Sequence, residues 1–239
     1  MDSRPSFLAV LLLCCLGLLA ACAEEPPPAD DDDTEPPPEF VDGTFIVSAA
    51  ESSTLLEGLV LHSDEEEFPT DADGRVRVTL PSNGDFDMDL VGEDYADHRI
   101  SGRSAESDFQ FPVEIRSQGE WGEAHAALGI EQDPSRGTLV VGLLTLALQP
   151  AQEASVSIDG DSDPPFIFVD DDPQAGSELI FGASAQVVFP NVPPGEAIVT
   201  PTAPEGTVCL NFPALTATED RRGFDLFEGG VTLALFLCH

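Results

Sequence analysis

The stretch "DGDSD", residues 159–163, sets carboxylates at alternate positions: Asp159, Asp161 and Asp163. Hard oxygens at the first, third and fifth places of a loop can converge on a calcium ion. Pro164 stands where an EF-hand loop needs glycine, and Asp170 where it needs a bidentate glutamate, so that full motif is rejected. A looser calcium site helped by residues 170–172 is one reading, and a solvated acidic hairpin is the other. Asp71 and Asp73, in "DADG", read as turn formers. The histidines His62, His98, His125 and His239 form neither HExxH nor a close pair, and read as surface residues. Ser184, in "GASA", misses the G-x-S-x-G frame of a nucleophile by one residue. No catalytic residue is expected, and calcium is the one cofactor left open. Trp121 either packs between the halves of the chain or offers a ring to a sugar.

Charge narrows the function classes. The formal net charge is −36, with nine basic residues, all arginine. So acidic a chain does not bind nucleic acid or anionic lipid by electrostatics. Without lysine there is no Schiff base, no phosphate-loop lysine and no Lys–Asn crosslink of the kind found in some surface adhesins.

The N-terminus carries an address. Residues 7–21 are apolar apart from two cysteines. Fifteen residues give about 22 Å of helix, short of the ~30 Å hydrocarbon core. A secretory signal fits better than a membrane span. The run ends in Leu19-Ala20-Ala21-Cys22, which resembles the lipobox of bacterial lipoprotein signal peptides. The resemblance implies that Cys22 takes a diacylglycerol on its sulfur and that residues 1–21 are removed. An ordinary signal peptide, or an uncut anchor, is the alternative. Two or more acyl chains make a stable anchor, at about 0.8 kcal/mol per buried methylene. Ala23, where an aspartate often marks retention in the inner membrane of such lipoproteins, leans the expected location towards the outer membrane. "AEEPPPADDDDTEPPPE" follows, with little to bury and many charges that repel. Residues 22–40 therefore read as a lipidated cysteine and a disordered spacer, extended where proline-rich and reaching about 50 Å. Once Cys22 is acylated, Cys209 and Cys238 remain as an even pair in an oxidising compartment. A disulfide between them contributes roughly 3–4 kcal/mol; two buried thiols are the alternative.

Beyond residue 40 the pattern is β. "RVRVTL" sets Val76, Val78 and Leu80 on one face and Arg75, Arg77 and Thr79 on the other. "FDMDLV" does the same with Phe86, Met88 and Leu90 against Asp87 and Asp89. Turn signals separate the runs at 71–74 and 82–85. The second half repeats the plan. "GTFIVSA" from Gly43 is echoed by "GTLVVGL" from Gly137, "LLEGLVLHSDEEEF" by "AQEASVSIDGDSDPPF", and "VTLPSNGDFDMDL" by "PNVPPGEAIVTP". Extra residues at 169–182 lengthen the second copy. The expectation is an all-β chain of two tandem Ig-like or transthyretin-like sandwiches, at 41–117 and 137–239. Residues 118–136 form the connection, with a short helix at 123–128.

Three motifs resemble the carboxypeptidase regulatory-like domain, a transthyretin-like sandwich. They are Gly58-Leu59-Val60, Thr70-Asp71-Ala72-Asp73-Gly74-Arg75-Val76 and Leu80-Pro81-Ser82-Asn83-Gly84-Asp85-Phe86. The second copy keeps Ala154-Ser155-Val156 and Asn191-Val192-Pro193-Pro194-Gly195, but has Gly182-Ala183-Ser184-Ala185 in place of the T-D-x-x-G turn. The resemblance implies a folding or binding module without catalysis. The expected protein is a lipid-anchored, non-enzymatic module of the bacterial cell envelope that touches the membrane through its lipid and takes an unidentified protein or carbohydrate partner. The alternative is a calcium-dependent adhesin or carbohydrate-binding protein.

Overall fold

A computed structural model describes residues 39–213 and 222–239. The expected signal segment, Cys22 and nearly all of the spacer lie outside the described residues. Strand β1, Phe40–Ala49, starts one residue before the expected boundary.

Strands β2 to β7 follow at Val60–Ser63, Glu66–Pro69, Arg75–Pro81, Asp85–Val91, His98–Arg103 and Phe109–Ile115. The expected alternation holds: Val76, Val78, Leu80, Phe86, Met88 and Leu90 are buried, while Arg75, Arg77 and Thr79 are exposed. Helix α1, Gln118–Leu128, comes next. Strands β8 to β16 then run at Gly137–Thr145, Ser155–Asp159, Phe166–Val169, Asp172–Ala175, Ala183–Val192, Gly195–Thr202, Cys209–Asn211, Gly223–Leu226 and Val231–Cys238.

The sequence echo corresponds to an echo in pairing. β1 pairs antiparallel with β4 and parallel with β7; β8 pairs antiparallel with β12 and parallel with β16. The order β2-β5-β6 in the first half recurs as β9-β13-β15 in the second. The added residues of the second copy include β11, which with β10 forms a hairpin on the outer edge of β12.

The two halves are not separate bodies joined by a connection. β16 pairs in parallel with β6, from Val231↔His98 to Ala234↔Ser101, while its other edge pairs with β8. A ten-stranded sheet therefore runs through both repeats. The described residues all fall in one compact unit. Beyond the reach of β6, β14 takes over the same edge, with Cys209 directly opposite Cys238. These cysteines are joined in a disulfide.

Alternate residues of β16 serve different cores. Leu233 and Leu235 pack against the first-half core of Phe45, Phe86, Phe111 and their neighbours. Ala234, Phe236 and Cys238 belong to the second-half core with Leu139, Val187 and Phe224. Phe212, which follows β14, packs on Phe111 with ring centroids 5.4 Å apart.

Helix α1 starts five residues earlier than expected. Ser117 caps it by accepting from the backbone N of Glu120, and the Glu120 carboxylate accepts from the backbone N of Ser117. This reciprocal pairing satisfies donors that a helix start leaves open. Gly129, with φ +68°, ends the helix. The helix places Trp121 and Ala124 on Val140, Phe166, Phe168, Val188 and Val231.

The T-D-x-x-G turn is a tight local construction. Asp71 Oδ1 accepts from the backbone N of Asp73 and of Arg75, each at 2.9 Å. Thr70 Oγ1 donates to Leu56 O at 2.7 Å and accepts from Leu59 N at 3.0 Å. Gly74 has φ +62°, and a Cβ there would lie 2.5 Å from the carbonyl oxygen of Val47.

Opposite outcomes are expected at two glycines. Gly74→Ala lowers stability by about 2–3 kcal/mol, from the positive φ and the backbone clash together. Gly122→Ala, mid-helix with open space around it, raises stability by about 0.5–1 kcal/mol. Urea unfolding of both variants beside the parent reads the signs. Reducing Cys209–Cys238, or replacing both with serine, costs about 3 kcal/mol, read as a lower melting temperature.

Candidate functional site

The connection after helix α1 folds back on the acidic loop at residues 159–163. Asp133 Oδ1 accepts from the backbone N of Ser135 at 2.9 Å and from its hydroxyl at 2.7 Å. These bonds, ahead of the nearby Arg136 charge, hold the Asp133 carboxyl below its ordinary value. The turn presents Arg136. Its Nη1 donates to Asn191 O at 2.8 Å and to Asp161 Oδ2 at 3.1 Å. Asn191, at φ +52°, donates through Nδ2 to Asp163 Oδ2 at 2.6 Å and to Glu131 O at 2.8 Å. Its Oδ1 accepts from Asp133 N at 2.9 Å.

Asp161 is bound to a guanidinium, Asp163 to an amide, and Asp159 is exposed at the end of β9. Among the described residues no group of three or more His, Cys, Asp or Glu side chains is placed to hold a metal. Arg136 supplies the positive charge that a bound ion would bring.

Two hollows, of about 650 Å³ and 540 Å³, meet over Asp133, Arg136 and Asn191 and form one trough. Trp121, Asp97, Gln132 and Thr138 line the larger one. The indole of Trp121 is only 4 % exposed and packs near His125 and Phe168, at centroid distances of 6.2 and 6.3 Å. Its Nε1, which can only donate, is buried without a partner among the described residues. Of the two readings of Trp121, packing or offering a ring to a sugar, the structure shows the ring packed.

Two histidines expected at the surface are buried: His98 and His125. His98 lies opposite Val231 on the seam between β6 and β16. Its Nδ1 is 2.7 Å from the carbonyl oxygen of Ala96, so Nδ1 carries the proton. Burial pushes its pKa down to about 4, against the hydrogen bond it donates to the Ala96 carbonyl, which acts the other way. A neutral imidazole enters a core position without burying a charge, which a surface reading of histidine overlooks.

A second polar centre is structural. Arg116, after β7, is almost wholly buried, with its guanidinium 3.5 Å over the Phe168 ring and 3.9 Å from Glu51 Oε1. Burial lowers its pKa, opposed by Glu120, Asp171 and Glu51. It ties the β1–β2 turn to β10, a contact between repeats that no local pattern announces. Among the described residues the Ser184 hydroxyl accepts only a long bond from Gln186 N, at 3.4 Å.

The imidazole at the seam makes folding depend on pH. Below pH 6.5 the unfolded chain protonates His98, while the folded chain refuses the proton until about pH 4. Its contribution is fully present above pH 6.5 and is lost as pH falls through that window, to a total of about 3 kcal/mol. In His98→Met this component is gone, and the other titrating groups are common to both proteins. The stability difference between parent and variant should therefore shift by about 3 kcal/mol between pH 7 and pH 4, as read by urea midpoints.

No protein-family model matches the chain, and no curated protein matches it. Among solved structures it is similar to the Bacillus anthracis TIE protein, at 12 % identity and a TM-score of 0.27, over 84 % of this chain and 34 % of that one. It is also similar to a Streptococcal ancillary pilin, at 15 % identity and a TM-score of 0.26, over 87 % of this chain and 64 % of that one. The shaft pilin SpaA from Lactobacillus rhamnosus GG matches at 10 % identity and a TM-score of 0.23, over 84 % and 98 % of the two chains. The chain spans about a third of the first of these structures and just under two thirds of the second. No helix among the described residues is long and apolar enough to cross a membrane.

Proposed function

We propose that this protein is a lipid-anchored, non-enzymatic structural and binding module of the bacterial cell envelope. Cys22 is the acylated residue, and the acidic proline-rich segment after it is a spacer that holds the body clear of the bilayer. Ala23 directs the anchored protein to the outer membrane. The observation that carries the reading for the body is the continuous sheet across the β6–β16 seam. A single sheet through both repeats makes a stiff unit that presents its clefts in fixed relation, as a displayed module requires. The turn motifs shared with the carboxypeptidase regulatory-like domain support the same non-catalytic role.

Acylation is tested on the full chain expressed in a Gram-negative host with radiolabelled palmitate. The parent takes up label and sediments with outer-membrane vesicles. Cys22→Ala takes up none, and no longer sediments with the outer-membrane fraction. Equal labelling of both, or a parent that stays soluble, contradicts the anchor.

A further inference from the structure

The trough beside helix α1 is lined by groups whose hydrogen-bonding capacity is only partly used. Trp121 Nε1 is a buried donor with no partner among the described residues. Asp97 and Gln132 line the same hollow, and both are exposed. Neither side chain makes a hydrogen bond among the described residues. Thr138 adds a hydroxyl, which both donates and accepts.

Charge narrows the guest. An anion would face Asp97, Asp133, Asp161 and Asp163 around the trough. A cation finds the place between Asp161 and Asp133 already taken by Arg136, 3.1 Å from Asp161 Oδ2 and 3.7 Å from Asp133 Oδ2, which leaves it the single carboxylate of Asp97. A guest that both accepts from the indole and donates to the carboxylate, and carries no net charge, meets neither objection. Hydroxyl groups do both at each carbon of a sugar. The size suits such a guest: the larger hollow, at about 650 Å³, falls within the range of ordinary small-ligand sites.

The floor is pre-formed. Arg136 and Asn191 are held by hydrogen bonds to main chain and side chain on both banks. Gly229 N donates to Arg136 O at 3.0 Å, fixing the β15–β16 turn against the same wall. A rigid polar trough loses little freedom when it binds.

We propose that this trough binds a neutral saccharide, with the Trp121 N–H donating to a sugar oxygen and Asp97 and Gln132 receiving or sharing hydroxyl protons. The inference gives a ligand class to the module proposed above, and stands or falls independently of its lipid anchor.

Trp121 is the chain's one tryptophan, so its emission reports on the trough directly. The full chain, in a zwitterionic detergent free of sugar, is titrated with neutral trisaccharides of glucose, galactose, mannose and N-acetylglucosamine. Parallel arms use an oligolysine peptide and a sialylated trisaccharide. At least one neutral trisaccharide is expected to give a saturable change in emission. Saturation-transfer NMR should show the same sugar in contact with protein. Asp97→Ala with Gln132→Ala, two exposed positions whose loss leaves folding intact, should weaken that binding about tenfold, the loss expected of two ordinary hydrogen bonds. Emission and NMR unmoved by every neutral sugar overturn the proposal. So does a response to oligolysine or to the sialylated sugar alone, or one that the double variant leaves unchanged.

Discussion

Everything in this fold leans on one strand. β16 is hydrogen-bonded along one edge to β8 and along the other to β6 and then β14. Its side chains alternate between the cores of the two repeats. Each core therefore depends on a residue set that the other core holds in register. A slip of one residue would exchange Leu233 and Leu235 with Ala234 and Phe236 and mispack both cores at once. The disulfide at Cys209–Cys238 fastens the strand where β14 replaces β6.

Much of the first repeat was legible because its strands are buried on one face. Polar residues alternate with apolar ones in "RVRVTL" and "FDMDLV", and the period names the inward side. The turn residues Asp71 and Gly74 were legible for a local reason: side-chain bonding to nearby backbone and a positive φ. The fusion of the repeats was not legible. "VTLALFLC" is apolar apart from Thr232, which marks a strand covered on both faces without saying by what. The start of helix α1 had a signal in Ser117 and Glu120, the S-x-x-E spacing of a capping box, but Gly119 and Gly122 weaken the helical pattern around it.

The candidate site was legible in its members and not in their relation. Asp161, Asp163 and Trp121 all border the trough or its extension. Their partners Arg136 and Asn191 stand far off in sequence, and the contacts follow from tertiary placement alone. Spacing within the loop suggested a metal, and it gave no sign of the distant arginine that meets Asp161. The buried Arg116 and His98 are similar cases, because whether a polar side chain enters a core depends on what is brought to meet it.

A chain with so few cations places them with some economy. Arg99 and Arg103 each stand directly opposite an aspartate across β5 and β6. Arg99 also lies 4.9 Å over the ring of Phe227, at the turn that leads into β16. The parallel pairing of β16 has a mechanical meaning. Tension drawn along this strand would strain its lateral bonds in shear, many at the same moment, whereas a hairpin pulled apart at its mouth yields them in succession. A body stitched this way resists tearing between its lobes, a useful property for something that must stay whole while fluid drags on it.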